Sequence, residues 1–258
     1  MSTILKEIKF NTLFITLNRP DVMNAFNTEM LMELQQAMDE AADNDEIRCV
    51  VITGNGKGFC AGQDLKDFEK ENKSFKQALE AKYNPLIKQM MGLPKPIICG
   101  LNGVAAGAGL SLALACDFRI AVESASLIEV FINIGLVPDS ASTYNLPRIV
   151  GLSKAFQMCS FAEKVTAVQA KELGLVNVVV SNSEVLNIAL EKYAKKFASA
   201  PTKAIGMIKT LLNTSFEGTL DTALNNEAEM QDILGISDDY KEGVNAFLEK
   251  RKPKFTGK

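Results

Sequence analysis

Along the first half of the chain, apolar residues fall alternately into short β-branched runs and into stripes with a helical period. The run TLFITLN (12–18) reads as a strand, and so do RCVVIT (48–53), PKPIICGLNG (94–103) and DFRIAVE (117–123). RCVVIT and PKPIICGLNG are apolar without alternation, as strands covered on both faces are. Between the strands the period changes. In NTEMLMELQQAMDEAADND (27–45), Met30, Leu31, Leu34, Met38 and Ala41 form one stripe, with Asn27 or Thr28 placed to cap it. Residues 75–91 have helical spacing, and GAGLSLALAC (107–116) begins a short apolar helix. NRPDVMNAFN (18–27) is a turn-rich loop and GNGKGFCAGQDL (54–65) a glycine-rich one.

Beyond residue 150 the character changes: GLSKAFQMCSFAE, TAVQAKELG, SEVLNIALEKYAKKFAS, PTKAIGMIKTLLNT, TLDTALNNEAEMQDILG and SDDYKEGVNAFLEKR all have helical spacing. The pattern predicts an α/β core followed by a helical tail. Pro201 breaks the series and marks a boundary near 197–201, which divides a core over 1–197 from a helical region over 198–258.

Composition narrows the function. With 258 residues, 47% of them hydrophobic and 23% charged, the chain has material for a large core. A net charge of −3 without a basic block argues against nucleic acid as a partner, and EKRKPKFTGK at the end is a short solvated tail. MSTILKEIKF lacks a signal-peptide core and no apolar run reaches a membrane-spanning length, so a cytoplasmic protein without a membrane partner is expected. Cysteines 49, 60, 99, 116 and 159 form no CxxC pair, and the chain has no histidine, so the usual zinc patterns cannot be built and no metal is expected. The thiols read as reduced and mostly buried. Cys60, in GFCAG, has no histidine to activate it.

Two glycine-rich stretches, TGNGKGF (53–59) and NGVAAGAGL (102–110), each follow a strand and precede a helix. Tight turns are one reading. A phosphate loop is a second, but neither stretch fits GxxxxGK[ST] or, cleanly, GxGxxG, so a nucleotide-dependent enzyme is disfavoured. In a third reading, small residues let backbone N–H groups approach a ligand, one from each loop, and hold a developing oxyanion. IGLVPDSAST (134–143) adds one carboxylate, Asp139, directly after Pro138 and among Val137, Ala141 and Phe131. On its residues alone it is a turn residue or a general base.

At these motifs the chain resembles the crotonase (enoyl-CoA hydratase/isomerase) superfamily. LNRPDVMNAFN, VVITGNGKGFCAGQDL, PKPIICGLNGVAAGAGLSLALACDFRIA, IGLVPDSAST and DYKEGVNAFLEKRKPKF carry the resemblance over nearly the whole chain. It implies repeated ββα units with a C-terminal helical region that packs across subunits in trimers or hexamers. It implies acyl-CoA thioesters as ligands, with coenzyme A part of the substrate and no separate cofactor. Carried over by position, the oxyanion hole falls on the backbone N–H groups of Gln63 and Ala108, where the family often has glycine at the latter. Met23 and Ala25 would line the CoA channel, and Ala61 and Asp64 would lie near the pantetheine and adenine, with Leu65 and Gly107 beside these positions. Tyr83 and Asn84 in KYNPL would border the acyl group, although helix packing explains Tyr83 equally well. Phe247 and Lys250 match positions that reach a neighbour's CoA, although helix packing also accounts for Phe247.

The resembling hydratases use two glutamates. Ser111 and Phe131 stand at those positions here, which leaves no acid to polarise water. In the resembling isomerases the base stands at Asp139. Epoxide-ring isomerases of phenylacetate breakdown share GFCAGQDL, YNPL, NGVAAGAG and FTGK, while some double-bond isomerases carry glutamate in place of the aspartate. The reading is an acyl-CoA isomerase, either Δ3-to-Δ2 on an enoyl-CoA or on a ring-epoxidised phenylacetyl-CoA, with Asp139 as single acid/base and Phe131 against the substrate. Its alternatives are a hydratase of low or unusual activity and a non-catalytic acyl-CoA binding protein. The 4-halobenzoyl-CoA dehalogenase branch needs a histidine and a tryptophan, and this chain has neither. Glu129 reads as a solvated strand or loop charge, and acyl preference is assigned to residues 66–90.

Overall fold

The apolar runs pair into two sheets. The computed structural model describes residues 2–70 and 74–258. In the larger sheet β1 (Ile4–Lys9) and β2 (Thr12–Leu17) form an antiparallel hairpin. Strands β3 (Cys49–Gly54), β5 (Ile97–Leu101), β7 (Phe118–Val122) and β10 (Val178–Val180) then add in parallel, in the order β1-β2-β3-β5-β7-β10. The smaller sheet has the order β4 (Gly58–Cys60), β6 (Val104–Ala106), β8 (Ser126–Ile128), β9 (Val165–Thr166), with only β9 antiparallel. One long strand in the large sheet, one short strand in the small sheet, then helix: this order, seen in β5-β6 and β7-β8, is the repeated ββα unit that the resemblance implies.

Burial explains the strand sequences. Cys49, Val50, Val51 and Ile52 on β3, and Ile97, Ile98, Cys99 and Leu101 on β5, are fully buried, so neither face tolerates a polar residue. Helix α1 (Thr28–Asp43) buries the predicted stripe plus Ala37, and Asn27 caps it by accepting from Met30 N at 3.0 Å. Each fully buried Val, Leu, Ile or Met side chain among these contributes roughly 1.5–3 kcal/mol relative to exposure. The chain continues through α2 (Leu65–Lys70), α3 (Phe75–Ala78), a π-helical turn over Leu79–Tyr83, α4 (Asn84–Gly92) and α5 (Ala108–Leu114). Then come α6 (Ser142–Val150), α7 (Leu152–Phe161), α8 (Ala167–Glu172) and α9 (Ser183–Ala198), which packs against the large sheet.

After Pro201 follow α10 (Thr202–Thr214), α11 (Leu220–Gly235) and α12 (Asp238–Leu248). Arg48 anchors this tail by donating to Ala200 O, Thr202 Oγ1 and Phe255 O, and Lys209 pairs with Asp117 at 2.9 Å. Helix α11 buries no side chain completely, and Leu220, Leu224, Phe247 and Leu248 are exposed. Among the described residues no helix is long and apolar enough to cross a membrane. Four of the five cysteines are buried and all are free thiols.

Candidate active site

The loop over 19–26 clamps the glycine loop that follows β4. Asn24 is fully buried in the left-handed region (φ 56°), where asparagine is tolerated. Its amide donates to Asn55 O and Gly58 O, both at 2.9 Å, and its Oδ1 accepts from Arg19 N. Ala61 N donates to Met23 O, Phe26 N to Gly62 O, and Asp64 N to Phe26 O. This bridge flanks Gln63 and leaves its N–H without a protein acceptor among the described residues.

The second donor arises in the same way. Gly62 (φ +95°) precedes Gln63, and Gly107 (φ +51°) precedes Ala108, so each N–H follows a backbone turn that a side chain would strain. Ala108 opens α5, where the first N–H groups have no partner within the helix. The two loops touch: a Cβ on Gly62 would lie 2.9 Å from Ala106 O and 3.5 Å from Ala108 N.

Gln63, Ala108 and Asp139 share one cavity of about 200 Å³ with Ala61, Leu65, Gly107 and Phe131. Val130, Ile134 and Leu136 complete an apolar wall, and Asp139 is the one ionisable side chain among the described residues that line it. Burial pushes the Asp139 carboxyl up; donation from Ser140 Oγ to Oδ1 at 2.8 Å works against that, and the net shift is upward. The turn that presents it is left-handed at both Ser140 (φ 52°) and Ala141 (φ 63°). Asp139 O accepts from Ser142 N and from Ser111 Oγ, each at 3.0 Å. Ser111 thus anchors the Asp139 turn from α5, a task its sequence position did not signal.

Two expectations need correction. Glu129 is not solvated: it is fully buried, because the chain turns inward after β8 and Ser142 Oγ donates to its Oε1. Its Oε2 has no hydrogen-bond partner among the described residues. Burial, with the Asp139 charge adding and the Ser142 bond opposing, pushes its carboxyl up to about 7. Val137 does not pack around Asp139, since it is 79% exposed. The cavity's apolar character near Asp139 comes from Phe131 and Leu136.

Other expected residues lie outside this cavity. Met23 and Ala25 belong to the clamping loop. The Asp64 carboxylate caps α2 and pairs with Arg19 at 2.9 Å; burial would raise it, but the Arg19 bond holds it below its ordinary value. Tyr83 is buried edge-on against Phe26, and Asn84 opens α4. Phe247 lines a separate apolar cavity between α10, α11 and α12, with Lys250 exposed beyond it. Cys60 is fully buried, and burial raises its thiol to about 12, far from a reactive thiolate. Of the acyl-preference segment 66–90, residues 71–73 lie outside the described residues.

A two-sheet ββα core with paired backbone donors over an apolar cavity defines a class, and comparison with known proteins agrees with it. The enoyl-CoA hydratase/isomerase family model matches residues 7–258. The chain is 41% identical to the 1,2-epoxyphenylacetyl-CoA isomerase of Escherichia coli (strain K12), over 100% of both chains. It is 36% identical to the 2,3-dehydroadipyl-CoA hydratase of the same organism, again over 100% of both. The crystal structure of enoyl-CoA hydratase from Bacillus anthracis superposes with a TM-score of 0.93 at 32% identity, covering 99% of this chain and 100% of that one. The chain belongs to the enoyl-CoA hydratase/isomerase family and has the crotonase fold.

Proposed function

We propose that the protein is an acyl-CoA isomerase that uses Asp139 as its single acid and base. The observation that carries this reading is one carboxylate facing two backbone donors in an apolar cavity, while Ser111 and Phe131 occupy the positions at which resembling hydratases hold glutamates. In this reading the thioester oxygen accepts from the N–H groups of Gln63 and Ala108. That acidifies C2–H by stabilising negative charge on oxygen. The Asp139 carboxylate takes the C2 proton, and the C–H electrons delocalise into a dienolate. The neutral Asp139 returns the proton at C4, the electrons shift back, and a Δ3-enoyl thioester becomes Δ2. The proton is conserved, so no cofactor beyond the substrate's own coenzyme A is required. The CoA arm would leave past Ala61, Leu65, Met23 and Ala25 toward Asp64, and a neighbouring subunit would supply Phe247 and Lys250. Tyr83, behind Phe26, would back the acyl end. The 41% identity to an epoxyphenylacetyl-CoA isomerase supports a ring-epoxidised phenylacetyl-CoA as a second substrate of the same site.

Trans-3-hexenoyl-CoA is the test substrate, with products separated by chromatography. Trans-2-hexenoyl-CoA should form with little 3-hydroxyacyl-CoA. Because the base must be ionised, kcat/KM should fall as pH is lowered through the Asp139 titration, with a midpoint above the ordinary aspartate value of about 4. Dominant 3-hydroxyacyl-CoA would instead support a hydratase and remove the isomerase reading.

The exposed Leu220, Leu224, Phe247 and Leu248 support a homo-oligomer built through the C-terminal helices. Sedimentation equilibrium should return a mass of three or six chains. A monomer at micromolar concentration would sink that expectation.

A further inference from the structure

We infer that Glu129 is a positioning residue for Asp139: from behind the cavity its carboxyl holds Ser142, and through Ser142 the left-handed turn at Ser140 and Ala141 that aims the Asp139 carboxylate. This rests on the reading of Asp139 as the base.

Two successive non-glycine residues in the left-handed region persist only where their surroundings over-determine them. Here three bonds do so. Ser111 Oγ and Ser142 N both donate to Asp139 O, and Ser142 Oγ donates to Glu129 Oε1. Ser111 holds the start of the turn from α5, and Glu129 holds its end at the first residue of α6. Glu129 itself follows β8 and immediately precedes Val130 and Phe131, which line the cavity. One carboxyl therefore links the wall of the cavity to the turn that carries the base.

The chemistry of Glu129 fits a group kept for this task. It is fully buried, and burying a carboxyl with one oxygen unpartnered is costly for the charged form. The titratable groups facing it are the Asp139 carboxyl and the Cys159 thiol on α7, the latter raised by burial to about 11 and so neutral. An apolar residue would fill the same space without that cost but could not accept from Ser142. Burial, with the Asp139 charge adding, favours the neutral form of the Glu129 carboxyl. A neutral amide should therefore replace it well.

The test compares Glu129→Gln, Glu129→Ala and Ser142→Ala in the full chain. Glu129→Gln keeps an acceptor for Ser142 and should retain kcat within about threefold. Either alanine variant should lower kcat by about tenfold or more with KM little changed, as a misaimed base does. The double alanine variant should be no worse than the worse single one, because both remove the same bond. A second measurement needs no turnover: carboxyl ¹³C titration of the resting protein, with Asp139 assigned through Asp139→Asn. The Asp139 midpoint should move in Glu129→Ala and return toward its native value in Glu129→Gln. Unchanged kcat and an unchanged Asp139 midpoint in Glu129→Ala would overturn the inference. A midpoint that moves in Glu129→Ala, together with a native protein that isomerises nothing, would keep Glu129 as the group that positions the Asp139 carboxyl and remove the isomerase reading instead.

Discussion

Replacing Asp139 with asparagine should leave the fold and acyl-CoA binding intact and lower isomerisation by about 10²–10⁴-fold, the usual contribution of a positioned general base. The substitution is nearly isosteric. The amide oxygen can still accept from Ser140 Oγ, and the main-chain bonds from Ser111 and Ser142 to the carbonyl of residue 139 do not involve the side chain. What is lost is the capacity to take a proton from C2 and return it. No other ionisable group among the described residues lines the cavity to replace it. Glu129 cannot substitute, because it is fully buried and is not part of the cavity lining. Steady-state turnover of trans-3-hexenoyl-CoA, with binding followed separately by calorimetry, checks both halves. Native-like turnover in the variant would remove Asp139 from the mechanism. Loss of binding would mean that the carboxylate holds substrate rather than moving a proton.

The second large effect concerns a backbone atom. Ala108→Pro removes the N–H proposed as the second oxyanion donor and should lower kcat by about 10²–10³-fold. Ala108 is the first residue of α5, a position where proline is tolerated because its N–H has no helical partner in any case. The helix should therefore survive a change that the chemistry does not. Ala108→Gly is the control: it keeps the donor, removes only a methyl group, and should stay within a few fold of the native rate. Thermal unfolding of both variants separates catalysis from folding. If Ala108→Pro folds and turns over normally, the oxyanion is held elsewhere. If both variants are equally impaired, the methyl group rather than the N–H is what matters.

Periodicity marked α1 and the long strands well, because a helix stripe repeated over four turns and a fully buried β-branched run are local signals. It missed others for physical reasons. The β1–β2 hairpin turns at Phe10 and Asn11, both left-handed, without the glycine that usually announces such a turn. Strands β4, β6 and β8 have three residues each, too few to display any period, and β4 lies within what reads as a glycine loop. Glu129 looks like a surface charge because a carboxylate is rarely buried. Its partner, Ser142, lies thirteen residues away on the next helix.

By itself, then, the sequence determined the order of the long strands and of the main helices, the family, and the candidate groups: two glycine-flanked backbone N–H groups and one aspartate in a chain without histidine. Only the tertiary structure decided that these groups meet. Gln63, Ala108 and Phe131 each lie just beyond the C-terminal end of a small-sheet strand, β4, β6 and β8, and Asp139 follows on the turn after the last of them. Gly58 pairs with Val104, and Ala105 with Leu127, so these strands run side by side and parallel. Adjacent strands lie about 4.7–4.9 Å apart, which brings segments dozens of residues distant in the chain to the rim of one cavity. That pairing is set by burial of the sheet's two faces across the whole core, a global condition that no local stretch of sequence expresses.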